Sequence, residues 1–425
     1  MTTPLKPETL GPFLGLSNRR RAYDLESEDR ANPGDYLARA ENVNLTDQGR
    51  IVRRKGYAAV NAGTDCHSLW NDTDAANAYF ADGADLKRAQ GDGTGVSVST
   101  VFSGLSLGHL LSFTHDGLAP VFSDGVALRR ILPTGVVPLV PPQLNMLPLV
   151  QAVAGGALDA GRYQVCFSYL DADDREGGAS PVQQVLVQDG GSIQITGLPA
   201  AFPSGVTALV IYLSPINGDV MMRAAVLTTA AASYTFPVMP TLGARCTTRR
   251  MYPMPAGSIV RMSNGRLFSA VGSVLFYSEP FMPGLYRPES GYVLFPQPVS
   301  LVEATANGIY IAAGDVTYFA RGDITQAELR TVLHYGAVPR TGGRIPNTPD
   351  CWWLSTRGVV IGDDNGNVKN EQEDEVRIDS ALVGAAMFRE QDGMNQFVAG
   401  TFGTRPTQAV VGSWADAEII HKESA

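Results

Sequence analysis

Tyr79-Phe80-Ala81-Asp82-Gly83-Ala84-Asp85-Leu86-Lys87-Arg88 reads as a short strand, an Asp-Gly turn and a return strand. Asp-Gly tolerates the positive φ angles that a tight hairpin demands, so the dipeptide marks a turn of defined geometry. Val121-Phe122-Ser123-Asp124-Gly125-Val126-Ala127-Leu128-Arg129-Arg130 reads the same way, and Gly125 falls 42 residues after Gly83. The hairpin returns over residues 266–277, centred near Gly272, and over 308–319, centred near Gly314, again 42 residues apart. A looser copy covers 358–368, and an earlier one covers 42–54.

A period of about 40–45 residues built from hairpins is that of a four-stranded propeller blade. One blade cannot bury both faces alone, so blades must stack. The rest of the chain agrees with an all-β reading. Gly 45 and Pro 27 punctuate it throughout, as many short strands require. Few segments have helical spacing; the best, 324–333, would make one short helix.

The period is broken once. Between Gly125 and Gly272 lie 147 positions, and removing one period leaves about 105, the size of a small sandwich. In 160–170, Tyr163, Val165, Phe167 and Tyr169 alternate onto one face. A polar loop follows at 171–178, then strands at 181–187, 192–199 and 208–214. The order of an Ala-Gly-x-Tyr strand, an acidic loop, an Ile-x-Ile-x-Gly-Leu strand and a Val-Ile-Tyr-x-Ser strand resembles fibronectin type III-like domains. The expected organisation is therefore an arm at 1–38, a first propeller part at 39–145, a sandwich insertion at 146–245 and a second propeller part at 246–425.

Composition narrows the function. With 425 residues, 44% hydrophobic and a net charge of −9, the chain is too acidic to grip DNA by neutralising many phosphates. A tube through which DNA slides is compatible with that charge. No apolar run reaches the length of a membrane span, and no signal peptide stands at the N-terminus. Cys66, Cys166, Cys246 and Cys351 are far apart and read as free buried thiols in a reducing compartment.

Chemistry-bearing patterns are sparse. His67, His109, His115, His334 and His421 are scattered, without zinc-like spacing. Gly104-Leu105-Ser106-Leu107-Gly108 matches a nucleophile elbow in letters, but a turn-dense β stretch surrounds it. Gly91-Asp92-Gly93-Thr94-Gly95 lacks the strand and helix of a phosphate loop. Asp171, Asp173 and Asp174 gather oxygen donors without the rest of a calcium loop, and read as a solvated turn. Arg321-Gly322-Asp323 reads as a turn after a strand. A propeller glycosidase would need carboxylates converging in one cleft, for which Glu279 and Asp315 are the candidates. The expectation is a non-enzyme without cofactor or bound metal.

Two blocks carry a further resemblance. Residues 40–57, with Asn42-Val43, Leu45, Gly49 and Arg53-Arg54-Lys55-Gly56, resemble the opening block of bacteriophage tail and head-to-tail proteins. Pro255-Ala256-Gly257-Ser258-Ile259-Val260, Asn264-Gly265-Arg266-Leu267-Phe268 and Ser278-Glu279-Pro280 resemble a second segment of the same virion proteins, continued by 308–322 and 336–338. The family is the tail nozzle or hub of short-tailed bacteriophages. The resemblance implies a homo-oligomeric ring, commonly six-fold, in the virion tail, assembled in the host cytoplasm. Its partners would be the portal and adaptor above, fibres or spikes, and passing double-stranded DNA read without sequence specificity.

Under that reading the basic clusters Arg19-Arg20-Arg21, Arg53-Arg54-Lys55 and Arg249-Arg250 would face DNA or a neighbour's carboxylates. Glu373, Asp374 and Glu375 form an exposed loop that would repel phosphate if it lined the channel. Trp352 and Trp353 lie on a strand, so one ring is expected in the core and the other at a subunit contact. The residue 1–38 arm would order on a neighbouring subunit. The rival reading is a carbohydrate-binding surface propeller, or a glycan hydrolase on the same scaffold.

Overall fold

The computed structural model describes residues 12–19, 25, 34–37, 43–45, 48–53, 59, 61, 63–71, 77–91, 95–370, 372–378, 383–391 and 394–402. Among these the fold is all-β, with no helix. It is a propeller-like array of small antiparallel sheets with a β-sandwich inserted. The chain forms two compact units, 109–294 and the combination of 1–108 with 295–425.

Five four-stranded meanders make the array. The first comprises Cys66–Asn71, Asn77–Asp82, Asp85–Gly91 and Val96–Ser103. The second comprises Ser112–His115, Pro120–Ser123, Leu128–Leu132 and Gly135–Pro138. The third holds Ile259–Ser263, Arg266–Val271, Val274–Tyr277 and Tyr292–Leu294. Val299–Ala304, Gly308–Ala313, Val316–Arg321 and Leu329–Leu333 form the fourth. Gly343–Arg344, Cys351–Ser355, Gly358–Gly362 and Val368–Lys369 form the fifth. Two-stranded hairpins stand at Val43–Leu45 with Ile51–Arg53 and at Val383–Gln391 with Met394–Phe402.

The 42-residue period is the spacing of the turn between second and third strands. Gly83, Gly272 and Gly314 occupy it with φ of +60°, +59° and +57°, and the residue after each keeps a negative φ. That sign pattern belongs to a type II′ turn, which takes glycine at its first central position. The fifth sheet makes the equivalent turn at Thr356-Arg357, 42 residues after Gly314, with the positive φ moved to Gly358. The looser copy at 358–368 is therefore one strand out of phase: it is the third-to-fourth-strand hairpin. Glycine spacing misplaced it because the true turn there has no glycine inside it.

These turns predict a graded response. A Cβ on Gly272 would meet nothing within 4 Å, whereas one on Gly314 would lie 2.7 Å from Cβ and Cγ of Gln297. Gly272→Ala should cost the left-handed strain alone, about 1–2 kcal/mol. Gly314→Ala should cost clearly more, read as the difference between their denaturant midpoints.

The Asp-Gly sequences hide a second repeat. Asp82 pairs with Lys87 and Asp124 with Arg129 (2.7 Å), each carboxylate reaching the cation five residues on across its own hairpin. Asp124 is fully buried, and its Oδ1 accepts the Val126 and Ala127 amides at 3.0 and 2.8 Å. Burial pushes its pKa up, but the amides of Ala127 and Val126 and the Arg129 guanidinium outweigh burial and hold it at about 2. The folded value lies below the ordinary aspartate value of 3.8, so the stabilisation is present above pH 4 and is lost as pH falls through about 2. Asp124→Asn should cost about 2 kcal/mol near neutral pH, and that gap should close by pH 2 in urea titrations.

Sheets stack face to face through their cores. Val121 and Leu139 of the second sheet region meet Val260 and Leu267 of the third. Ser112 and Thr114 hydroxyls accept the Val260 and Met262 amides, both at 3.0 Å, stitching the first strands of these sheets together. Leu301, Tyr310 and Phe319 of the fourth sheet pack on Trp353 and Val360 of the fifth. The opposite face of the fifth sheet, with Trp352, Leu354 and Val359, packs on Phe397 and Ala399 of the last hairpin.

Residues 324–333 form no helix. Ile324-Thr325-Gln326 is a turn and Leu329–Leu333 is the outer strand of the fourth sheet. Asp323 Oδ1 accepts the Thr325 amide and hydroxyl, both at 3.0 Å, which closes the turn.

In the sandwich, Leu149–Leu158, Gly191–Thr196 and Ser233–Phe236 make one sheet. Gln183–Val187, Gly161–Asp171, Val206–Leu213 and Met222–Leu227 make the other. Tyr163, Val165, Phe167 and Tyr169 all enter the core between them, with Ile193 and Ile195 opposite and Ile211 beside Phe167 on the neighbouring strand. The outer face of the four-stranded sheet is buried too, because residues 243–251 cross it on their way out.

Candidate functional site

The third sheet holds the most unusual local geometry. Its first hairpin turns at Asn264-Gly265, both with positive φ (+49° and +72°), the type I′ pattern. The chain returns beside this turn at 278–281. The Leu267 amide donates to Ser278 Oγ (2.9 Å) and Arg266 Nη1 to the Ser278 carbonyl (2.7 Å). The Ser278 amide donates to the Leu267 carbonyl (2.8 Å), and the Phe281 amide to the Gly265 carbonyl (2.7 Å). Glu279 is tied down by Arg287 at 2.9 Å. The two halves of the Asn264–Leu267 and Ser278–Pro280 block thus close into one knuckle.

At its apex stands Phe281, 85% exposed and with φ of +57°. A bulky residue in left-handed backbone is an outlier that costs about 1–2 kcal/mol. Here it is over-determined by the hydrogen bond that the Phe281 amide donates to the Gly265 carbonyl, with the ring laid on that glycine: a Cβ there would sit 3.0 Å from Phe281 Cε1. Strain that keeps an apolar ring in solvent has no folding benefit of its own.

The residues expected to face DNA or a neighbour are placed differently. Arg19 Nη1 donates to the Glu373 carbonyl (2.6 Å) and lies 3.6 Å from Asp374. Glu373 also pairs with Arg357 at 3.0 Å. The Glu375 carbonyl accepts the Asn18 amide, and Asn18 exchanges two bonds of 2.8 Å with the Arg377 backbone. Arg19, alone of the described residues of the basic clusters, therefore meets the acidic cluster of its own chain. Of the 1–38 arm, the described part pairs Phe13–Leu16 in parallel with Asp35–Leu37 and binds 372–378 of its own chain. Arg20, Arg21, Arg54 and Lys55 lie outside the described residues, and Arg53 is exposed at a strand end. Arg249 donates to the Asp219 carbonyl at 3.1 Å, and Arg250 is exposed with φ of +59°.

The tryptophan expectation fails on one side. Trp352 and Trp353 do point to opposite faces, but both are buried, because the fifth sheet is covered on each side. Neither ring is available for a subunit contact.

The catalytic candidates are held in structural roles. Ser106 lies in an irregular link between the first and second sheets, with no helix after it. Asp171 Oδ1 accepts the Asp173 and Arg175 amides, both at 2.9 Å, and its other oxygen pairs with Arg175 Nε at 2.8 Å. The acidic loop is thereby closed on itself. It is also docked: a Cβ on Gly177 would sit 2.6 Å from the Pro141 carbonyl oxygen. Glu279 is paired with Arg287 at the knuckle, and Asp315 caps the fourth-sheet hairpin. His115 Nδ1 accepts the Gly117 amide at 3.0 Å. Burial, ahead of the charges around it, lowers the His67 pKa. His421 lies outside the described residues. Cys66 is exposed, unlike the other three cysteines. Among the described residues no cluster of His, Cys, Asp and Glu is arranged to hold a metal ion, and no helix is long and apolar enough to cross a membrane.

A cavity of about 450 Å³ opens beside the second sheet, lined by Leu128, Leu139, Val140 and Met254 with the carboxamides of Gln143 and Asn145. It contains no titratable side chain.

No family model and no curated protein matches the chain. Solved structures with a similar course of the chain include a protein of unknown function from Desulfotomaculum acetoxidans. It is 12% identical, with 78% of this chain and 92% of that one covered and a TM-score of 0.30. KlHsv2 with loop 6CD replaced by a Gly-Ser linker is 8% identical, covered at 80% and 89%, with a TM-score of 0.31. A chain of the mitotic checkpoint complex is 10% identical, covered at 91% and 99%, with a TM-score of 0.33. Likeness at this level says nothing of what the chain does.

Proposed function

We propose that the chain is a structural subunit of the tail nozzle or hub of a short-tailed bacteriophage. In this reading it assembles into a closed, six-fold ring in the virion tail, below the portal and adaptor. The ring extends the DNA channel, helps retain packaged DNA and carries fibres or spikes until ejection. The observation that carries the reading is the knuckle. The second of the two segments that carry the resemblance folds back on itself, and its apex is a strained, solvent-exposed phenylalanine.

An exposed aromatic on a rigid support is the kind of anchor that fills a pocket on a partner. Closed rings form from head-to-tail contacts, in which one surface of a subunit meets a different surface of the next. Phe281 supplies one such surface. The net charge of −9 suits a channel wall that DNA slides past.

Phe281→Gly separates assembly from stability. Glycine accepts φ of +57° without strain and little buried area is lost, so the subunit should become more stable by about 1 kcal/mol. Ring formation should weaken at least tenfold in native mass spectrometry, and six-fold particles should thin out in negative-stain images. A wild-type chain that stays monomeric at high concentration and never joins portal complexes would overturn the reading. The half-exposed Tyr252 and Tyr292, beside the Phe276 and Tyr286 rings, favour the sugar-binding alternative. That alternative predicts a monomer that binds glycans.

A further inference from the structure

We propose that Cys166 and Cys246 are an oxidation site: a hydroperoxide converts them to an intramolecular disulfide that fastens the segment leaving the sandwich onto its central strand. The inference does not depend on the nozzle reading.

Cys166 lies in Gly161–Asp171, the strand flanked on both sides in the four-stranded sheet, and points to the outer face. Cys246 comes from the irregular segment that crosses this face. Both sulfurs belong to one buried cluster with Ala208, Val210, Tyr212 and Met221. Within that cluster each thiol is the strongest single influence on the titration of the other. The crossing segment is thin: Cys246 is buried, but Arg245 and Thr247 on either side are exposed. Its ties are few. The Cys246 amide donates to the Met221 carbonyl (2.9 Å), the Arg223 amide to Ala244 (2.8 Å), and the Ala179 amide to Thr248 (3.1 Å). Thr248 Oγ1 donates to Glu176 Oε1 at 3.2 Å, an oxygen that also accepts the Ser168 and Tyr212 hydroxyls. Opening an irregular segment that lies over a sheet face is a local event that leaves the sheet intact. It would admit a molecule as small as a hydroperoxide.

The pair is asymmetric in the way the chemistry needs. The Cys166 thiol beside it holds the Cys246 thiol below its usual range, against the opposing effect of burial. The same contact and burial push Cys166 up. Cys246 is thus the attacking thiolate. Its sulfur takes the distal oxygen of the hydroperoxide: an S–O bond forms, the O–O bond breaks, and the alkoxide leaves as alcohol after taking up the thiol proton. The Cys166 sulfur then attacks the sulfenic sulfur. The S–S bond forms, the S–O bond breaks, and hydroxide leaves as water with the Cys166 proton. One hydroperoxide is reduced, and each thiol loses one electron. The closed loop spans 80 residues, and a cross-link over such a length restrains the unfolded chain strongly.

The test uses the full chain with Cys66→Ser, which removes the exposed thiol and leaves only buried ones. Hydrogen peroxide is the probe, followed by thiol blocking under denaturing conditions, intact mass and peptide mapping. The expected result is loss of two hydrogens, a peptide linking positions 166 and 246, an unchanged monomer mass on a non-reducing gel, and a thermal midpoint raised until dithiothreitol is added. Gain of oxygen without a link, linkage through Cys351, or no change in mass would each overturn it. In the Cys66→Ser, Cys166→Ser chain, dimedone should trap a sulfenic acid at Cys246; trapping at Cys351 instead would overturn the assignment. The linkage measurement in the Cys66→Ser chain stands even if this second variant fails to fold.

Discussion

Trp353→Ala is expected to destabilise the protein by about 3–5 kcal/mol, the range for removing a large aromatic side chain from a packed core. The ring is fully buried between the fourth and fifth sheets, 5.1 Å from Tyr310, which in turn lies 4.7 Å from Phe319. Tyr310 is itself fixed: its hydroxyl sits 2.8 and 2.9 Å from the carbonyls of Asp363 and Asn367. The site therefore cannot collapse around the lost indole, which places the cost at the upper end. Trp353→Phe should cost about 1–2 kcal/mol. The buried indole N–H has no hydrogen-bond partner, so phenylalanine forfeits volume but no bond. Urea unfolding followed by far-ultraviolet circular dichroism measures both. A Trp353→Ala cost below 1 kcal/mol would mean that these two sheets are not packed as described.

The second large effect concerns the ion pair of Asp116 and Arg130 in the second sheet. Both side chains are almost completely buried, at 1% and 3% exposure. Asp116 Oδ1 also accepts the Leu118 and Ala119 amides, both at 2.9 Å, so the carboxylate caps the turn as well as neutralising the guanidinium. Asp116→Ala should cost about 3–5 kcal/mol, because it strands a buried cation and two amides together. Arg130→Met added to Asp116→Ala should recover a large part of that loss, since the charge that lacked a partner is gone. Urea midpoints of the two single variants and the double variant complete the cycle. If the double variant is as unstable as the sum of the singles, the pair is not coupled and the explanation fails.

Much of the architecture was legible in local signals. Hairpins about Gly83, Gly125, Gly272 and Gly314 could be placed because a positive φ at a two- or four-residue turn needs glycine, and the chain supplies it at a constant interval. Alternation exposed the inner face of the sandwich strand through Tyr163, Val165, Phe167 and Tyr169. The same reasoning failed where partners were remote. It offered the loop at 171–178 to solvent, although Gly177 and Gly178 are pressed against residues 141 and 251. It sent Arg19 to DNA or to a neighbour's carboxylates, although its carboxylate partner stands some 350 positions along its own chain. The candidate site was half visible: Asn264–Leu267 and Ser278–Pro280 stood out as words, but nothing in their order showed that they touch.

Residue order alone determined an all-β chain of repeated hairpins, because turn type and strand alternation depend on neighbours one to five positions away. Tertiary structure alone decided which faces are covered. That choice buried both Trp352 and Trp353, joined Cys166 to Cys246 across 80 residues, and left Phe281 in solvent. Burial is a property of what packs above a surface. Those covering segments arrive from distant parts of the chain, through contacts that no local period encodes.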